Sequence, residues 1–150
     1  MKLVDFIGRD DVTLELRSAD KDATLREMVG LLDLEDDQEE ALYKLLQKRE
    51  KLGSTGIGKG VAIPHCRSHV VDRLRVAYGR KREGIAFDAV DAKPVHHLFL
   101  IVAPPIEISN QYLPVLGKIA QFCKDAKNLQ RLSEVDSVDA FFETLRPAER

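Results

Sequence analysis

Gly53-Ser54-Thr55-Gly56-Ile57-Gly58-Lys59-Gly60-Val61-Ala62-Ile63-Pro64-His65 joins two kinds of periodicity. Upstream, a helix is expected from about Asp37 to Leu52, burying Leu42, Leu45 and Leu46 and stopping near Gly53. Downstream, Val61 to Pro64 reads as a short strand that ends at His65. A helix feeding a strand through a glycine-rich connection points to a layered α/β fold. Arg49 falls at the next i+7 position on the helix's buried face, after Leu42. Its guanidinium either snorkels outward, which also suits the helix dipole, or meets a partner beyond the helix end. Position does not choose between the two, but both put a positive charge near the glycine-rich segment.

Outward from this segment, Leu25, Met28, Val29 and Leu32 mark an amphipathic helix. Thr24 and Glu27 have capping-box spacing at its start, with Asp22 as the other candidate cap. Leu3, Val4 and Phe6, then Val12, Leu14 and Leu16, read as short strands. Leu74, Val76 and Tyr78 alternate with Arg73 and Arg75, predicting a strand with one wet face. Ile85 to Phe87 reads as a short strand or turn, and His97 to Ala103 as a fully buried strand closed by Pro104 and Pro105. A helix is expected from near Asn110, with Pro114 in its first turn and Leu113, Leu116, Ala120 and Cys123 inward. Val138, Phe141, Phe142 and Leu145 define a last helix. With no repeat or linker in sight, residues 1–150 are expected to form a single-domain α/β sandwich around one sheet.

Composition removes several function classes. No apolar run reaches the length of a membrane span, and the N-terminus lacks the apolar core of a signal peptide, so no membrane insertion is expected. Cys66 and Cys123 cannot build a disulfide framework, which reads as a reducing, cytoplasmic setting. A formal net charge of −2 without a recognised motif argues against nucleic acid. Residues 20 to 40 are acid-rich, whereas Lys59, Arg67, Arg73, Arg75, Arg80, Lys81 and Arg82 face one acid, Asp72. That basic run reads equally as solvated faces or as a positive surface around His65 for an acidic or phosphorylated partner.

The glycine-rich segment fails two nucleotide motifs. Gly53-x4-Gly58-Lys59 is one residue short of a Walker A loop, because Gly60 stands where the magnesium-holding hydroxyl belongs. The dinucleotide pattern fails because Val61 occupies the place of its third glycine. Metal binding is disfavoured too: His65 and His69 lack the zincin glutamate, and His96 and His97 would project from opposite faces of a strand. What remains is a backbone able to present N–H groups to an anion, from Ser54, Thr55, Gly56, Gly58 and Gly60, ahead of an imidazole fixed by Ile63-Pro64. Neutral histidine is a competent nucleophile near pH 7. By residue type alone, a structural turn with an incidental exposed histidine is the commoner reading of such a segment.

Arg49-Glu50-Lys51-Leu52, continuing through Gly53 to His65, closely resembles the active-site block of the fructose/mannitol-type enzyme IIA domains of the bacterial phosphotransferase system. The wording Ser54-Thr55-Gly56-Ile57-Gly58 is especially similar to the nitrogen-related IIA proteins. The resemblance continues through residues 84–91, Pro94-Val95 and Leu98 to Pro104, into the closing helices. It implies a mixed sheet with helices on both faces. It also implies a phosphoacceptor role for His65, Arg49 at the same site, a histidine phosphocarrier protein as donor, and no cofactor. Where the family commonly has a second histidine, in a His-Leu-x-x-Leu pattern, this chain has Tyr112-Leu113-Pro114-Val115-Leu116. A phenol can donate a hydrogen bond to phosphate but does not change charge near pH 7, so phosphohistidine lifetime and reverse transfer are expected to differ.

A chain with neither a membrane segment nor a second transfer domain is expected to be regulatory, with a kinase, a transporter or a metabolic enzyme as its controlled partner. The alternatives are a sugar-transport IIA component that passes the phosphoryl group to a membrane-linked IIB, and a binding module that has lost phosphotransfer. Whether the domain forms a homodimer is left open by the sequence.

Overall fold

The computed structural model describes residues 2–107 and 110–146. The glycine-rich segment is a tight hairpin: β2 (Gly56–Gly58) turns back antiparallel onto β3 (Val61–Ala62). Gly58, Lys59 and Gly60 all have positive φ, at 93°, 57° and 79°. Glycine adopts this backbone freely, and Lys59 is held in it by donating its N–H to Asp91 Oδ2 at 3.1 Å. At Gly56 the constraint is contact, since a Cβ there would stand 2.7 Å from that of Ala89.

Beyond the hairpin, β3 and β4 (His65–Arg67) both run parallel to β6 (Val95–Ala103). They behave as one strand with a rung missing. Val61 pairs with His97 and His65 with Ile101, so the register is unbroken across Pro64. Pro64 has no N–H to give, but its carbonyl accepts the Ile101 N–H at 2.9 Å. Alternation along this strand puts Val61 and Ile63 in one core and Ala62 and Cys66 against the other. His65 and Arg67 continue the Val61–Ile63 row towards the surface.

The sheet order is β1-β5-β6-β3-β2, with β4 further along β6. β1 (Ile7–Thr13) is parallel to β5 (Arg75–Ile85), which is antiparallel to β6. On one face lie α1 (Lys21–Gly30) and α2 (Asp36–Leu52), whose Leu25, Met28, Val29, Leu42 and Leu46 bury against Ala77, Leu98 and Leu100. On the other lie α3 (Tyr112–Lys124), α4 (Ala126–Glu134) and α5 (Val138–Leu145), packed on Val76, Tyr78, Phe99 and Ile101. This is the mixed sheet with helices on both faces expected above.

Several local expectations are corrected. Leu3–Asp5 is a 3-10 turn rather than a strand, and a single strand, β1, follows it. Helix α1 is capped by Asp20, which accepts the Ala23 N–H, and not by Thr24 or Asp22. Glu27 instead receives the N–H groups of Arg17 and Ser18. β5 has no wet face where Val76, Ala77 and Tyr78 lie, because it is a central strand covered by helices on both sides. Leu42, Leu46 and Cys123 are buried as expected, but Leu45 is 41% exposed and Leu113 70% exposed; Tyr43 and Glu50 complete the inward row of α2, and Tyr112, Val115, Ile119 and Phe122 that of α3. Both differences matter for the site.

Candidate functional site

His65 is half-buried at the start of β4. Its Nδ1 lies 2.7 Å from the Ile63 carbonyl. A carbonyl can only accept, so Nδ1 carries the proton and donates it, and Nε2 keeps the lone pair in the neutral ring. Nε2 has no partner among the described residues. The strand thus presents one defined nucleophilic nitrogen.

Tyr112 opens α3, with its ring centroid 6.1 Å from that of His65 and the planes tilted by 58°. It reaches this place because α3 turns its 112, 115, 119 and 122 face inward, not the face through Leu113. The Glu107 carboxylate accepts the N–H groups of Gln111 and Tyr112 and so caps the helix start. Burial pushes the Tyr112 hydroxyl up to about 12; the charges of Arg67 and Arg49 act in the opposite direction. The phenol is therefore a neutral donor at any physiological pH. Arg67, two residues beyond His65, lies with its Cζ 4.5 Å from the Tyr112 ring centroid and donates from Nη1 to the Pro104 carbonyl at 2.9 Å.

Arg49 is half-buried at the end of α2 and donates from Nη1 to the Gly53 carbonyl at 2.7 Å. Here it caps the helix terminus, with its charge within electrostatic reach of Tyr112. The buried position is taken by Glu50, 8% exposed. Glu50 accepts the Thr55 N–H at 3.0 and 3.2 Å, accepts the Thr55 hydroxyl, and pairs with Lys21 at 2.9 Å. Ser54 Oγ donates to the Phe87 carbonyl at 2.6 Å and accepts the Gly56 N–H at 3.0 Å. Gly58 and Gly60 form the hairpin turn, where the Gly60 carbonyl receives the N–H groups of His96 and His97. The structure therefore gathers His65, Tyr112 and Arg67, with Arg49 nearby, while the amides of Thr55 and Gly56 are engaged within their own loop.

The family profile described as "Phosphoenolpyruvate-dependent sugar phosphotransferase system, EIIA 2" matches residues 5–147. The chain belongs to this EIIA 2 family. A nitrogen regulatory protein of Pseudomonas aeruginosa is 31% identical over 125 residues, covering 82% of this chain and 80% of that protein. The fructose-specific EIIABC component of Bacillus subtilis is 30% identical over 149 residues, 97% of this chain but 23% of the Bacillus protein's length. The crystal structure of nitrogen regulatory protein IIA-Ntr from Neisseria meningitidis superposes with a TM-score of 0.85 at 32% identity, covering 94% of this chain and 97% of that one.

Elsewhere in this EIIA 2 chain, the remaining histidines are dispersed. His69 is exposed, and His96 Nδ1 sits against the carbonyls of Lys81 and Arg82. His97 is buried between Tyr78 and Ser133. Among the described residues, no group of three or more His, Cys, Asp or Glu is placed to hold a metal ion. No helix there is long and apolar enough to cross a membrane. The basic run does not form one surface around His65. Lys59 binds the Lys124 carbonyl, Arg75 pairs with Asp11, Arg80 is buried on the Leu14, Leu132 and Val135 carbonyls, and Lys81 binds that of Leu16. A cavity of about 660 Å³ is not lined by His65; it lies between Ile7, Asp11 and Arg75 and borders the site region through Pro104, Glu107 and Gln111. Of two residues beside or behind the site, Arg67 entered the sequence reading only as one of a basic run, and Glu50 was given no role. Strand alternation from His65 would have found Arg67, and the i+4 step from Leu46 would have found Glu50.

Proposed function

We propose that this EIIA 2 domain is a regulatory phosphoacceptor, taking a phosphoryl group on Nε2 of His65 from a histidine phosphocarrier protein in the cytoplasm. The observation that carries the reading is the bond from His65 Nδ1 to the Ile63 carbonyl, which leaves a single nitrogen available for attack. Its lone pair attacks phosphorus, and the donor's P–N bond breaks. The donor imidazole, protonated on its other nitrogen, leaves neutral with that electron pair. The His65 ring becomes the protonated phosphohistidine, its Nδ1 proton still held by Ile63. Such transfer depends mainly on positioning and charge neutralisation, here supplied by the tether and by Arg49 as a charge partner. The added charge of about −2 then alters which partner protein, such as a kinase or a transporter, fits the surface. Two unpaired cysteines, Cys66 and Cys123, suit a reducing compartment.

Incubation with a phosphorylated phosphocarrier, followed by intact mass and acid lability, tests this. One acid-labile phosphoryl group is expected on the parent and none on His65→Ala, with the 15N signals of the ring assigning it to Nε2. Equal labelling of His65→Ala would sink the reading. The similarity to the fructose-specific EIIABC component favours a second reading, in which His65 passes the group rapidly to a membrane-linked IIB. Onward transfer to an isolated IIB separates the two.

A further inference from the structure

Arg67 is an exposed cation that lies on the same Tyr112 ring that stands beside His65. Strand alternation sends residues 65 and 67 to one face of β4, while Cys66 packs towards α1 and α2. Arg67 is pinned at two points, by the Pro104 carbonyl and by the face of the Tyr112 ring, and that ring also stands beside the His65 imidazole. A guanidinium has five N–H donors. Pro104 uses one, and among the described residues Arg67 makes no other hydrogen bond and no ion pair with a carboxylate. Arg49 likewise spends one donor, on the Gly53 carbonyl at the end of its own helix, but no ring among the described residues holds it as Tyr112 holds Arg67. A planar, always-charged fork with unspent donors, held on the ring that neighbours a nucleophile, matches the oxygens of a phosphoryl group.

We propose that Arg67 is a second phosphoryl-binding cation of this site beside Arg49, and that Tyr112 is the aromatic platform that holds it there in place of a second imidazole. The inference rests on His65 being the acceptor. Tyr112 then contributes through the arginine stacked on it, and the charge balance of the phosphorylated site does not depend on a titrating neighbour at that position.

The test uses phosphoramidate, a small donor that needs no protein docking: Nε2 attacks phosphorus, the P–N bond breaks and ammonia leaves. Labelling rate and phosphohistidine half-life are read by intact mass for Arg67→Gln, Arg67→Lys, Tyr112→Leu and the double variant Arg67→Gln/Tyr112→Leu, with thermal unfolding to check the fold. Arg67→Gln is expected to slow labelling by about tenfold or more and to shorten the half-life. Arg67→Lys should fall between it and the parent. The double variant should be no slower than Arg67→Gln alone, as for two residues acting as one unit. Parent-like rate and half-life in Arg67→Gln overturn the proposal. So does a folded Arg67→Lys no better than Arg67→Gln, since charge would then be irrelevant. Multiplying losses in the double variant overturn the platform role of Tyr112. If Arg67→Gln does not fold, Arg67→Lys is compared with the parent, and an unchanged half-life overturns the proposal. A parent chain that gains no label at His65 removes the underlying acceptor reading instead, whatever the arginine variants do.

Discussion

Glu50 is the residue on which the glycine-rich loop turns, although it makes no hydrogen bond to the His65 ring. Its carboxylate gathers the Thr55 N–H, the Thr55 hydroxyl and the Lys21 ammonium in a place where water is excluded. Removing one member of such a buried set leaves the others unpaired, which costs more than the set contributes relative to an apolar replacement. Glu50→Ala is expected to lower stability by about 3 kcal/mol in urea unfolding, and Glu50→Gln by less, because the amide keeps one acceptor oxygen. A stability loss under about 0.5 kcal/mol in Glu50→Ala would show that the loop is held by other contacts. Sequence periodicity gave the inward position to Arg49 because a buried carboxylate looks misplaced until its partners are known. Those partners arrive from α1 and from beyond the helix end, and neither is visible in the local pattern. The placing of His65 at the end of a strand was legible, since the glycines and proline before it have strict backbone roles.

At the scale of elements, α3 is where pattern and structure part most clearly. Its first two turns contain Leu113 and Leu116, which draw the eye to one face, yet Tyr112, Val115, Ile119 and Phe122 are the buried row. An amphipathic phonology of leucines misleads when a tyrosine with a polar tip can fill the inward position and put that tip at the site. Ile119→Ala is expected to cost about 2–5 kcal/mol through the cavity it leaves. Leu113→Ala, at a solvated position, should stay within about 0.5 kcal/mol. Thermal or urea unfolding of the two variants checks the phase of the helix, and the reverse order would place Leu113 in the core. The buried strand β6 and the final helix α5 were readable because long apolar runs and i, i+3, i+4 spacing are strong local signals. The break of the β3–β4 strand at Pro64 was half readable. Proline announces an interruption, but that the register resumes unchanged on β6 is a property of the partner strand.

Across the whole molecule, acid sensitivity is built into the centre of the sheet. His97 is 3% exposed, with the Tyr78 hydroxyl at Nδ1 and Ser133 Oγ at Nε2. Burial, helped by the charges of His96 and Arg80, lowers its pKa from 6.5 to about 4. Between these values the unfolded chain binds a proton that the folded one does not, so stability rises with pH through this window and is lost as pH falls. The effect is bounded at roughly 3 kcal/mol. Urea midpoints measured from pH 7 to pH 4 should fall for the parent and fall less steeply for His97→Gln; parallel slopes would assign the acid loss to other groups. The β3–β4 strand that carries His65 is laid along β6, whose residues from Leu98 to Ala103 are fully buried. Its backbone cannot slide without moving a full two-residue step, because a single-residue slip would turn every side chain to the wrong face. Under the proposed function, a phosphoryl group on His65 would add negative charge to the rim of a strand whose register is fixed, so a partner protein would tell the two states apart by charge rather than by shape.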